Sequence, residues 1–130
     1  MELILGGFAQ GKLDFALSRY SDAVVCDESD YEKLLHGTLC GAVIWNNFHL
    51  AVKKEIVGGK SDAEITQFVT DVVDRCPSIV IISDEIGCGI VPMSADERRY
   101  REFVGRLQCL LAKKADAVFR VVCGVPQRIK

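Results

Sequence analysis

Gly6-Gly7-Phe8-Ala9-Gln10-Gly11-Lys12 fits G-x-x-x-x-G-K, the pattern of a loop that cradles a nucleotide's phosphates. The apolar run Glu2–Leu5 before it predicts a buried strand. Lys12–Tyr20 after it has helical spacing, with Leu13, Ala16, Leu17 and Tyr20 on one face. A strand, a glycine turn and a helix in that order bring backbone N–H groups and the positive end of a helix to one point, where Lys12 adds a full charge. The next residue of a working loop is Ser or Thr, whose hydroxyl holds Mg²⁺. Here it is Leu13.

Outward from that loop, strands and helices alternate. Ala23–Cys26 predicts a second strand, Glu28–His36 a short helix closed by Gly37, Gly41–Trp45 a third strand and Asn47–Val57 a helix ending at Gly58-Gly59. Ser61-Asp62-Ala63-Glu64 is a capping box. It opens a helix whose Ile65, Phe68, Val69, Val72 and Val73 recur on one face and which Pro77 stops. Ser78–Ser83 is apolar almost throughout, as a central parallel strand buried on both faces requires. A loop follows, Asp84-Glu85-Ile86-Gly87-Cys88-Gly89-Ile90-Val91-Pro92. Ser94-Ala95-Asp96-Glu97 reads as a second capping box, with a helix to about Lys114 that turns Phe103, Val104, Leu107, Leu110 and Leu111 to the core. Ala117–Cys123 is a fifth strand, Gly124–Pro126 a turn and Gln127–Lys130 a short returning edge strand.

This alternation predicts an α/β fold with a mainly parallel central sheet and a short C-terminal edge hairpin; the G-x-x-x-x-G-K loop between strand and helix makes it P-loop NTPase-like and three-layered, and the length makes it a single domain over residues 1–130. Ligands of such sheets bind at the carboxyl ends of the strands. The loops after strands one and four are then the walls of the site.

Composition narrows the function. The chain has 130 residues, 49% hydrophobic and 26% charged, with a net charge of −2. That balance argues against a nucleic-acid or membrane-surface role carried by a basic face. No apolar run approaches the roughly 18 residues of a membrane span, and Met1 leads straight into a strand, so a cytoplasmic protein is expected. The six cysteines, Cys26, Cys40, Cys76, Cys88, Cys109 and Cys123, form no C-x-x-C pair and read as buried, reduced small hydrophobes, with Cys88 set apart in a glycine-rich loop. His36 and His49 have no Cys or His at ligand spacing, so no protein-held metal site is expected.

Magnesium in a phosphate loop is held by the loop hydroxyl and an acid at a strand end. Leu13 removes the first, and strand three ends Ile44-Trp45-Asn46-Asn47, without an acid. The nearby carboxylates are Asp84 and Glu85 after strand four and Asp27 after strand two. Each could hold a metal or act as a base. Each could equally be a solvated loop carboxylate, or, for Glu85, a hydrogen-bond partner of its own turn.

Ile81-Ile82-Ser83-Asp84-Glu85-Ile86-Gly87-Cys88-Gly89-Ile90-Val91-Pro92 resembles the "(T/S)-(N/D)-E-V-G-x-G-I-V-P" loop of the bifunctional adenosylcobinamide kinase / adenosylcobinamide-phosphate guanylyltransferase family. Arg98–Gln108 is similar to that family's "R-x-F-R-D-x-x-G-R-x-N-Q" helix. Ala115–Val118 and Val121–Lys130 resemble its "A-D-E-V … V-x-G-I-x-x-x-I-K" ending, and Gly6–Leu13 its "G-G-A-R-S-G-K-S" start. The resemblance is densest over residues 78–130, thinner over 1–20 and sparse between.

The resemblance implies ATP or GTP as phosphoryl donor to the aminopropanol hydroxyl of adenosylcobinamide, a second reaction in which GMP is carried on a histidine, and a homo-oligomer, commonly a trimer. It also exposes departures. The family's basic, histidine-bearing segment after strand two is missing, since Cys26-Asp27 leads almost directly into Glu28–His36. His36 has acidic surroundings unsuited to a GMP acceptor, and His49 reads as a helix-face residue near the sheet. The strand-three acid is replaced by Trp45 or Asn46, the loop Ser by Leu13 and the loop Arg by Ala9. Lys12, Glu85, Gly87, Gly89 and Arg106 remain, the two glycines serving a tight turn with positive φ.

Two readings follow. The first is a cobalamin-assembly protein that binds a purine nucleotide and is at most a residual adenosylcobinamide kinase, its guanylyl transfer lost. Its candidate cofactor-binding residues are Gly6, Gly7, Phe8, Ala9, Gln10, Gly11, Lys12 and Leu13, and its candidate catalytic residues Lys12, Asp84 and Glu85. Mg²⁺ enters only where activity is retained. The second is a non-catalytic paralogue that binds a nucleotide, a corrinoid or a partner subunit without turnover.

Overall fold

The computed structural model describes residues 1–28, 30, 34, 41–87 and 93–130. The elements run β1 (Glu2–Gly6), α1 (Lys12–Arg19), β2 (Val24–Cys26), β3 (Val43–Trp45), α2 (Phe48–Val57), α3 (Asp62–Arg75), β4 (Ile79–Asp84), α4 (Ala95–Lys114), β5 (Ala117–Val122) and β6 (Val125–Arg128). They form the α/β architecture the alternation predicts. The helix expected over Glu28–His36 and the glycine at 89 fall largely or wholly outside the described residues, as do His36, Cys40 and Cys88.

One six-stranded sheet has the order β2-β3-β4-β1-β5-β6. Its first five strands are parallel, and β6 returns antiparallel to β5. Period-two alternation divides the strand residues between two cores. Leu3, Val43, Trp45, Ile79, Ile81 and Val118 face α2, α3 and α4, packing with Phe48, Val52, Ile65, Val69, Phe103, Val104 and Leu107. Ile4, Ile44, Val80, Ile82, Phe119 and Val121 face α1, against Ala16, Leu13, Phe15 and Leu17. Helices thus cover both faces of the sheet, consistent with a P-loop NTPase-like fold. Ile79–Ile82 are all at most 1% exposed, as a central strand covered on both sides must be.

Local chemistry sets the helix boundaries unevenly. At Ser61 the capping box is complete: Glu64 N–H donates to Ser61 Oγ, and Ser61 N–H donates to Glu64 Oε2 at 2.8 Å. At Ser94 it is not. The backbone is extended as an N-cap requires, but the side chain makes no capping bond. Glu97, whose carboxylate would complete that box, instead pairs with Lys53 of α2 at 3.0 Å.

The end of the chain also differs from expectation. The turn lies at Cys123-Gly124, with φ of 50° and 76°, and β6 therefore begins at Val125. Positive φ at both central residues is the requirement of a two-residue hairpin whose twist matches its strands. Pro126 sits on the edge strand, where its missing N–H costs no ladder bond.

The cysteines only partly behave as small hydrophobes. Cys26 is buried and Cys76 half-buried, whereas Cys109, on the outer side of α4, and Cys123, in the hairpin turn, are exposed. At Gly87 the backbone does not adopt positive φ, and a Cβ would meet nothing within 4 Å, so the tight-turn reading fails at that position. Among the described residues no helix is long and apolar enough to cross a membrane.

Candidate functional site

The glycine-rich loop over residues 6–12 leaves β1 at Gly6, and the close packing there permits only glycine. A Cβ on Gly6 would lie 2.4 Å from the Val121 carbonyl oxygen of β5. The loop then passes through positive φ at Ala9 (53°) and Gly11 (80°) and enters α1 at Lys12. A cavity of about 300 Å³ opens beside it, lined by Phe8–Asp14 together with Asn46, Asn47, Ile82 and Asp84.

Lys12 is only 7% exposed. Its ammonium donates to the Gly7 carbonyl at 2.6 Å and pairs with Asp84 Oδ1 at 2.6 Å. The strand order explains the second contact. β4, not β3, is the neighbour of β1 on this side, and Gly6 stands in register with Asp84. The strand end beside the loop is therefore that of β4, which carries the candidate Asp84, while β3 ends without an acid as its sequence reads. Asn46 and Asn47 stand on the cavity wall instead, and Asn46 Nδ2 donates to Asp27 Oδ1 at 2.9 Å, tying the loops after β2 and β3 together.

Asp84 is fixed from three further directions. Its N–H donates to His49 Nδ1 at 3.2 Å, and its carbonyl accepts from Gln108 Nε2 at 2.9 Å. Its second carboxylate oxygen lies 3.6 Å from His49 Nε2. Gln108 Nε2 also donates to the fully buried Ser83 hydroxyl at 2.9 Å. His49, in the first turn of α2, is 7% exposed. Because Nδ1 accepts, the ring proton sits on Nε2, facing Asp84. Burial pushes His49 below its ordinary value, with the Asp84 charge opposing. Tyr100 of α4 donates to the His49 carbonyl at 3.0 Å, and its own phenol is pushed up to about 12, mainly by burial.

Glu85 points elsewhere. Its N–H donates to the Gly6 carbonyl at 2.9 Å, carrying the chain over the end of β1. Its carboxylate is gripped by the Arg120 guanidinium through Nε at 2.9 Å and Nη2 at 3.0 Å. Of the sequence-derived candidates, Lys12 and Asp84 meet at the cavity, whereas Glu85 lies beside Arg120 and does not line it. His49 and Gln108, which orient Asp84, were not among those candidates. Their only sequence signal is position: one opens the helix after β3, the other lies on the long helix after the β4 loop.

Magnesium does not fit this donor set. Leu13 packs against the α1-side core in place of a ligating hydroxyl, and the adjacent carboxylate is engaged by Lys12. The start of α1 carries the positive end of the helix, and Lys12 beside it is already matched by Asp84.

A family model described as cobinamide kinase / cobinamide phosphate guanyltransferase matches residues 23–129. The chain belongs to that family. The chain is 40% identical over 70 residues to the bifunctional adenosylcobalamin biosynthesis protein CobU of Salmonella typhimurium, and 39% identical over 70 residues to the protein of the same name from Escherichia coli. Each alignment covers 53% of this chain and 38% of the relative, so well under half of either relative is represented. The match to the cobinamide kinase family begins at residue 23, after Gly6–Leu13. The reading of Gly6–Leu13 therefore rests on its own sequence and its place between β1 and α1.

Proposed function

We propose that this member of the cobinamide kinase family binds a purine nucleotide, ATP or GTP, by its phosphates at Gly6–Leu13, as a single domain within cobalamin assembly. The observation that carries the proposal is the buried Lys12 at the mouth of α1, beside a cavity built by the loop itself. An incoming phosphate would take the Lys12 ammonium from Gly7 and Asp84 and accept N–H groups from the turn into α1. Asp84, oriented by His49 and Gln108, would face the transferred group and orient a substrate hydroxyl. Glu85 would support the loop through Arg120.

In this reading the chain is at most a residual adenosylcobinamide kinase, and guanylyl transfer is lost with the histidine segment. A second reading, a non-catalytic paralogue acting as a nucleotide- or corrinoid-binding or partner subunit, is favoured by Leu13 and by the Lys12–Asp84 pair, which neutralises the loop's one full charge. A homo-oligomer, a trimer by family resemblance, belongs to either proposal.

Thermal unfolding with ATP and GTP, each with and without Mg²⁺, tests nucleotide binding. A ligand at a hundred times its Kd stabilises by about 2.7 kcal/mol. Saturable stabilisation that requires Mg²⁺ would favour the kinase reading. Stabilisation indifferent to Mg²⁺ would favour the non-catalytic one, and no response to either nucleotide with an intact fold would end both nucleotide readings. Incubation with labelled GTP should leave no acid-labile GMP on the chain.

A further inference from the structure

We infer that Gln10 is the positioning residue of the phosphate loop, fastening it to the turn between β5 and β6. The inference deepens the phosphate-cradle reading and rests on it. Gln10 satisfies two consecutive backbone donors of that turn. Cys123 N–H donates to Gln10 Oε1 at 2.6 Å, and Gly124 N–H donates to the Gln10 carbonyl at 3.0 Å. The two segments are also in steric contact, because a Cβ on Gly11 would lie 3.3 Å from Gly124 Cα. The hairpin presents this pair of donors through positive φ at Cys123 and Gly124.

Gln10 immediately precedes Gly11-Lys12, so its carbonyl direction sets the peptide that leads into α1. The peptide is planar and trans. With its oxygen turned to Gly124, the N–H of Gly11 is turned away from the hairpin, free of competition from that side. The side-chain amide adds a second anchor from the same residue, which a shorter side chain could not supply. By linkage, whatever orders the cradle orders the hairpin turn, and the reverse.

Residue-resolved amide exchange of the full chain, with inorganic triphosphate as the probe, tests this. In Gln10→Ala the Cys123 amide loses its acceptor and should exchange about fivefold to tenfold faster, the scale of one hydrogen bond. The Gly124 amide, bonded to a main-chain carbonyl that the variant keeps, should change little. Gln10→Glu restores an oxygen at the same reach and should restore Cys123 protection. Triphosphate should slow both amides in the unaltered chain, and Gln10→Ala should bind it about fivefold more weakly. Equal Cys123 exchange in the unaltered chain and Gln10→Ala, or equal triphosphate affinity, overturns the inference. Faster Cys123 exchange in Gln10→Ala with no triphosphate bound by the unaltered chain is a different pattern: it removes the cradle reading, and with it any positioning role, leaving Gln10 a structural brace.

Discussion

Lys12 and Asp84 meet at 2.6 Å across the carboxyl ends of β1 and β4, with side chains only 8% and 15% exposed. A pair this buried is worth little against an uncharged replacement, but breaking it from one side strands a charge. Lys12→Met should therefore destabilise the fold by about 3 kcal/mol, and adding Asp84→Asn should recover most of that loss. Chemical denaturation of the two single variants and the double variant closes the cycle. Additive losses would mean the two side chains do not depend on one another.

Gly6 is constrained by β5, not by its own dihedrals. A Cβ there points at the Val121 carbonyl oxygen, 2.4 Å away, and that oxygen belongs to a backbone that cannot move without parting β1 from β5. Gly6→Ala should cost about 3 kcal/mol, at the upper end for overpacking. A melting temperature unchanged from the parent chain would show that the two strands separate more easily than their register implies.

The two Ser-x-x-Glu boxes should respond differently to the same change. Ser61→Ala removes a side-chain cap and should cost about 1 kcal/mol. Ser94→Ala removes none and should be nearly silent. Denaturant midpoints of the two variants decide the matter, and equal losses would contradict the absence of a side-chain cap at Ser94.

His49 predicts a pH dependence with a definite sign. Burial lowers its folded value below the ordinary 6.5, so near and below that pH the unfolded chain binds the proton more readily than the folded one. Stability is then complete above about 6.5 and falls as pH drops through the lowered folded value. The charges of Asp84 and Glu28 raise that value, and those of Lys12 and Lys53 lower it. His49→Gln should flatten that limb of the stability profile, as read by denaturation at a series of pH values. An unaltered limb would place the titration elsewhere.

Much of the fold is legible in the residues themselves. Ile79–Ile82 could only be a central strand, Ser61–Glu64 only a helix start, and Gly6–Lys12 joined a strand to a helix as its pattern requires. The site was less legible because its geometry depends on strand order. No local signal says that β4 lies between β3 and β1, so nothing in the sequence puts Asp84 in register with Gly6 and within reach of Lys12. His49 reads as an ordinary helix-face residue until β4 is placed beside it, and Gln10 as a loop filler until the hairpin is folded over it. Half of the second capping box was illegible for the same reason: Lys53, 44 residues away in sequence, takes the Glu97 carboxylate.

Calorimetric titration with GTP and with ATP, comparing the unaltered chain with the Lys12→Met/Asp84→Asn double variant, tests the phosphate cradle most directly. The double variant keeps the packing and loses the ammonium. Saturable binding by the unaltered chain, weakened at least tenfold in the variant, is the result expected when a buried charge partner of the phosphates is removed. Equal affinity in both proteins, or no heat from either nucleotide with the unaltered fold intact, would contradict it.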